Sequence, residues 1–214
     1  MTSAMTGLDR DLRTALDGVV GDPAWLSEAL DRVSTDPGAV TALFPAVGRK
    51  CGRGPLSAQC PGLAGWTVDD AARVLLLSSL SLRGAHLATE VAALYRYGDA
   101  AEKRGVLRAL SRLDIGGAGL DLVLDALRTN DPRLVAAALG PCARDLDDAM
   151  WRQGVLKCVF MEIPLTVVDG LAERADSELA RMLAGLAAER QAAGRHMPAD
   201  AVALLARLTS TEAY

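Results

Sequence analysis

The stretch T-V-D-D-A-A-R-V-L-L-L-S-S-L, Thr67 to Leu80, reads as a helix with its start marked. Thr67 followed three residues later by Asp70 has the form of a capping box, which satisfies backbone N–H groups that a helix start leaves free. Val74, Leu77 and Leu80 then recur at helical spacing. The same grammar continues downstream. Leu87, Val91, Leu94 and Tyr95 form the next apolar face, which ends at Gly98. Asp99 and Glu102 repeat the box ahead of Val106, Leu107, Leu110 and Leu113. Gly116-Gly117 turns the chain into a helix bearing Leu120, Val123, Leu124 and Leu127, and Asp131-Pro132 starts another. Thr67, Asp99 and Asp131 stand 32 residues apart each time. A period of about 30–45 residues with two helices per unit marks α-solenoids. The tetratricopeptide side-chain pattern is missing. The reading is therefore an all-α, single-domain, α-solenoid-like (HEAT-like) array of antiparallel helix pairs over residues 67–208.

Upstream, residues 1–44 read as N-terminal helices. Leu8, Leu12, Ala15, Leu16 and Val19 form one stripe. Asp22-Pro23 supplies an N-cap followed by Pro at the first helical position, and Asp36-Pro37 repeats the device before a shorter helix through Phe44. Residues 45–66 read as a Gly/Pro-rich basic loop, with Pro45, Gly48, Gly52, Gly54, Pro55 and Pro61-Gly62. A loop of that length is uncommon in a compact domain unless it serves a purpose. Towards the C-terminus Gly140-Pro141 breaks a helix and Asp145 is read as the cap of a long one through Ile163. Asp176 caps the next, which stops at Gly194, and Pro198 opens a last one ending near Leu208. No segment alternates in the manner of a strand.

Composition narrows the function. Lys plus Arg number 23 against 27 Asp plus Glu, a net charge of -4, and aromatics are only 4%. Nucleic-acid modules pair a basic surface with stacking aromatics, so nucleic acid is not a partner on this reading. The run Val74–Leu82 is closed by Arg73 and Arg83, short of the roughly 20 apolar residues a bilayer span needs. The charged N-terminal residues Asp9, Arg10, Asp11 and Arg13 do not form a signal peptide. A cytoplasmic protein without membrane insertion is expected. Cys51, Cys60, Cys142 and Cys158 show no C-x-x-C spacing, and free thiols fit a reducing compartment; a Cys51–Cys60 bridge is the competing arrangement.

Among candidate contacts, Gly48-Arg49-Lys50-Cys51-Gly52-Arg53-Gly54 packs three cations among three glycines. Glycines let the backbone approach an anion, and arginine presents paired donors to phosphate or carboxylate. The same segment also reads as a solvated loop paired with acidic neighbours. His86 with Glu90, and Gln153 with Lys157, stand four apart on their helices, away from the stripes Leu87, Val91, Leu94 and Leu156, Val159, Phe160, Ile163. Such pairs line grooves or merely decorate helix faces. Arg73, Arg96 and Arg128 join Lys157 as candidate groove cations, although Arg128, Asn130 and Asp131 are also explained by a helix corner. No nucleophile–base pair, metal set or cofactor motif can be assembled, so no catalytic residue, metal or cofactor is assigned.

Five segments, in order, resemble the EboA family: F-P-A-V-G-R-K-C-G-R-G-P-L at Phe44–Leu56, W-T-V-D-D-A-A-R at Trp66–Arg73, Y-R-Y-G-D-A-A-E at Tyr95–Glu102, W-R-Q-G-V-L-K-C-V-F at Trp151–Phe160 and A-A-E-R-Q-A-A-G-R at Ala187–Arg195. The resemblance covers about Phe44 to the C-terminus. It implies a member of a bacterial gene cluster linked to secondary-metabolite traffic, whose other products look like a membrane prenyltransferase, TIM-barrel proteins and a dehydroquinate-synthase-like enzyme. The expected role is an accessory binding or scaffold protein, with those cluster-encoded proteins and a small-molecule metabolite as partners. The alternative is an enzyme acting on a phosphorylated or prenylated intermediate through an Arg/Lys anion clamp.

Overall fold

The computed structural model describes residues 7–56 and 63–211, and among these it is helical without a strand. Cys60 and the Pro61-Gly62 pair fall outside the described residues. The helices are α1 (Gly7–Leu16), α2 (Pro23–Thr35), α3 (Val40–Lys50), α4 (Val68–Ser78), α5 (Gly84–Tyr97) and α6 (Ala100–Ala109). They continue with α7 (Ala118–Arg128), α8 (Pro132–Ala138), α9 (Asp148–Phe160), α10 (Leu171–Arg174), α11 (Ser177–Ala192) and α12 (Ala199–Thr211). The chain divides into two compact units, Met1–Leu122 and Val123–Tyr214.

The three caps at the 32-residue spacing are all present. Thr67 precedes α4, and its N–H donates to Asp70 Oδ2 at 3.1 Å. Asp99 and Glu102 exchange bonds at the start of α6, and Asp131 Oδ1 accepts from the Arg133 N–H at the start of α8. Helix starts are thus where the polar residues put them.

In the first unit α4 is the hub. Every residue from Val68 to Leu77 is buried, because α1, α2, α3 and α6 all pack against this helix. A helix in an open row of pairs keeps one face wet; α4 does not. Its acidic first turn and Arg73 are therefore enclosed and must find partners inside, since an unpaired buried charge is costly. Arg73 Nη1 donates to Asp69 Oδ2 at 2.5 Å, and the Arg73 guanidinium lies 5.5 Å from the Phe44 ring centroid. From α6, Arg104 Nε donates to Asp70 Oδ1 at 2.7 Å and its Nη2 to the Thr67 hydroxyl at 2.9 Å. Arg108 lies with Nε 3.3 Å from Asp70 Oδ2 and its guanidinium 4.5 Å over Trp66. Gly105 makes this approach possible: a Cβ there would stand 2.7 Å from Arg73 Cδ.

Residues 45–50 depart from the loop reading. α3 runs through Pro45 and ends only at Lys50. Val40, Phe44, Val47 and Cys51 are all fully buried, at spacings of four, three and four. That continuous core face outweighs the backbone bond Pro45 forgoes. Beyond it, the chain ends of the connection are tied together, with Leu56 N–H donating to Trp66 O and Val68 N–H to Gly54 O, both at 2.9 Å.

In the second unit α9 packs against α8 and α11, and α11 against α12. Asp145 belongs to a 3-10 turn, Pro141–Asp145, and the cap of α9 is instead Asp147, which accepts from the Met150 N–H at 2.7 Å. Trp151, Val155, Cys158 and Val159 form the buried face of α9. Arg152 joins α9 to α11: its Nε donates to Asp176 Oδ1 at 2.9 Å, and the same carboxylate caps Leu179 N–H at 3.0 Å. Glu162, left-handed at φ 57, turns the chain after α9 and is held by Arg190 at 2.8 Å.

Candidate functional site

The second unit contains a groove of about 530 Å³ between the C-terminal half of α7, the outer face of α9 and α11. That volume falls within the range usual for small-molecule sites, roughly 300–1,000 Å³. α7 contributes Leu124, Leu127 and Arg128, and the corner after it contributes Asn130. α9 contributes Met150, Gln153, Gly154, Leu156, Lys157 and Phe160, with Met161 just beyond. Leu186 of α11 completes the lining.

The sequence places these groups through α9's two apolar faces. Trp151, Val155 and Cys158 fill the core, whereas Met150, Gln153, Lys157 and Phe160 recur at spacings of three and four on the outer side. Phe160 is 65% exposed and Met150 39%, so this side carries uncovered apolar groups beside Gln153 and Lys157. Leu156 and Phe160, expected in the buried stripe, face the groove instead. Gly154 brings the α9 backbone close to Leu139, for a Cβ there would lie 2.7 Å from Leu139 Cδ2.

Charge gathers at the α7 corner. Lys157 Nζ donates to the Leu127 carbonyl at 2.7 Å. That carbonyl belongs to the last turn of α7, where intrahelical donors run out and a cation offsets the negative helix end. Arg128 is exposed beside it and makes no hydrogen bond or ion pair with any described residue. The lining carries no carboxylate, histidine, hydroxyl or thiol. Cys158 lies behind it, fully buried, and burial pushes its thiol up to about 12. The thiolate form that nucleophilic chemistry needs is absent near neutrality. The groove can hold an apolar body and donate to an acceptor group, and its one amine, Lys157, is bonded to the Leu127 carbonyl.

Of the candidate contacts, Arg128, Gln153 and Lys157 are brought together here. The others lie in the first unit. Arg73 is fully enclosed in the ionic cluster around α4, facing Asp69 and not solvent. Arg49 and Lys50 occupy the last turn of α3, and Lys50 Nζ is 3.5 Å from Asp22 Oδ2. Arg53 folds back over α3: a Cβ on Gly48 would stand 2.7 Å from its Nε. His86 and Arg96 are exposed on α5, and Glu90 accepts from the Thr41 hydroxyl at 3.3 Å. Cys51 and Cys142 are buried free thiols pushed up to about 11 and about 12 by burial. Asn130, Met150, Phe160, Met161, Leu124 and Leu186 were not singled out as contacts by sequence. The readable signal for Met150 and Phe160 was the second apolar face of α9.

Among the described residues no helix is long and apolar enough to cross a membrane, and no three potential ligands gather as a metal site. A family described as metabolite traffic protein EboA matches residues 57–205. That span contains the whole groove and the α4–α6 cluster, whereas Arg49, Lys50 and Arg53 precede it. No curated protein and no solved structure matches the chain. By a match over most of its length, taking in both the enclosed hub and the open groove, the chain belongs to the EboA family, whose role is in metabolite handling.

Proposed function

We propose that the protein binds a small-molecule metabolite in the groove of its second unit and carries or presents it, chemically unchanged, to other proteins of the same gene cluster. The observation that carries this reading is the lining: an apolar surface with Arg128, Asn130, Gln153 and Lys157 as polar groups, no carboxylate, histidine, hydroxyl or thiol, and its one amine, Lys157, bonded to the Leu127 carbonyl. Such a lining binds and orients. The partner surface is assigned to Arg49, Lys50 and Arg53, with Arg96 and His86 on α5. Arg49 and Arg53 are exposed and have no hydrogen bond or ion pair to a described residue, which supports that assignment. The HEAT-like stacking of one domain, a cytoplasmic location and a membrane prenyltransferase-like partner belong to the same proposal. The regular spacing of the three caps supports the stacking.

The alternative, an enzyme with an Arg/Lys clamp, requires a general acid–base such as His86 or Glu90 beside the clamp. Neither lines the groove. Native mass spectrometry of the protein purified from its own host tests the choice. The expected result is a retained small molecule, recovered unchanged after prolonged incubation and lost in Phe160→Glu. Recovery of an altered molecule would establish catalysis and overturn the proposal.

A further inference from the structure

We infer that the ligand of this groove is amphipathic and anionic: a hydrocarbon body with a phosphate- or carboxylate-type head that docks at Arg128 and Lys157. The inference rests on the binding reading above and names its ligand class. Three observations lead to it.

First, two cations line one groove whose lining holds no carboxylate, in a chain whose net charge is -4. Several other arginines of the second unit are matched with acids: Arg152 with Asp176, Arg144 with Asp169, Arg174 with Asp148, Arg181 with Glu178. Arg128 is not. A guanidinium facing an apolar cleft without a counter-charge offers a planar, paired-donor surface to an acceptor with two oxygens.

Second, the Lys157 ammonium is held in place. Its bond to the Leu127 carbonyl at 2.7 Å fixes the charge beside Arg128 and leaves further N–H donors for a ligand. A head group there meets an ordered donor rather than a mobile side chain, which lowers the ordering cost of binding.

Third, the same groove exposes Phe160 at 65% and Met150 at 39%. Large apolar side chains scattered singly need no explanation, but two on one face beside a cavity and beside cations describe an amphipathic partner. A cationic ligand would meet repulsion from both charges. A wholly apolar one would leave the donors unused and would desolvate them without compensation.

The test is calorimetric titration of the full chain, below micellar concentrations, with dodecyl phosphate, dodecanol, dodecylammonium and inorganic phosphate. Dodecyl phosphate should bind about tenfold tighter than dodecanol, the scale of one charge-assisted hydrogen bond in a partly wet site. Arg128→Gln should bring that ratio close to one while leaving dodecanol affinity unchanged. Phe160→Ser should weaken both twelve-carbon probes. Equal binding of phosphate and alcohol, or preference for the ammonium, with Phe160→Ser still weakening the probes, would overturn the anionic class and leave the groove as the binding site. Inorganic phosphate binding as tightly as dodecyl phosphate would overturn the amphipathic class. No binding of any twelve-carbon probe would remove the groove reading itself.

Discussion

Arg73 in the first unit and Arg128 in the second are both arginines on amphipathic helices, and their fates are opposite. Arg73 is fully buried, bonded to Asp69 and wedged against Gly105 of α6. Arg128 is exposed at a helix end with no partner among the described residues. The difference comes from the helices that carry them. α4 is surrounded by α1, α2, α3 and α6, so even its charged residues are enclosed and serve the fold. α7 ends at an open corner against the outer face of α9, so its last cation remains available to a ligand. Burial of the element, and not the type of residue, separates enclosed cations from exposed ones here.

The comparison breaks first, and most strongly, in the hub. Asp69→Ala leaves Arg73 charged and without its partner, which should cost about 3–5 kcal/mol in urea-induced unfolding. Replacing the pair together, Asp69→Leu with Arg73→Met, should return a large part of that loss, because the buried charge is gone. If Asp69→Ala unfolded like the parent, the ionic cluster would not be what holds α4 and α6.

A smaller effect tests the caps. Burial acts to raise the Asp99 carboxyl, but N–H bonds from Glu102 and Ala101 and the charges of Arg73 and Arg53 outweigh it, holding the group below its ordinary value. Asp99→Ala should lose about 1 kcal/mol near neutrality. A lowered folded pKa means the contribution is full above the unfolded value of about 3.9 and fades as pH falls through the folded value. The gap between parent and variant should therefore narrow below about pH 4 in thermal melts followed by circular dichroism.

The smallest effect is in the groove. Arg128→Gln should change unfolding stability by less than about 0.5 kcal/mol, as exposed substitutions do. A large loss would place Arg128 with the structural cations and dissolve the contrast.

Much of the fold was legible because helix starts are local chemistry. Thr67, Asp99, Asp131 and Asp176 cap where their side-chain chemistry ahead of a helical stretch said they would. Two failures were also physical. Pro45 and Gly48 signalled a loop, yet Phe44, Val47 and Cys51 supply enough buried surface to carry α3 past them. Asp145 looked like a cap, but Asp147 two residues later does the capping. The site was half legible. Gln153 and Lys157 share a face by helical geometry alone, and Arg128 ends the helix that Lys157 caps. Which cations stay wet depends on tertiary enclosure, and nothing local marks Arg73 as buried and Arg128 as free. Phe160 and Leu156 were assigned to the core because they are apolar, although α9 has a second apolar face turned outward.

The central claim is that the groove binds the ligand while the ionic hub supports the fold. Hydrogen–deuterium exchange of the full chain, with and without saturating dodecyl phosphate, tests it directly. The account predicts new protection in peptides covering residues 124–130 and 150–161, with α4 and α6 equally slow in both states. Protection confined to residues 49–53, or a change centred on α4 and α6, would contradict it.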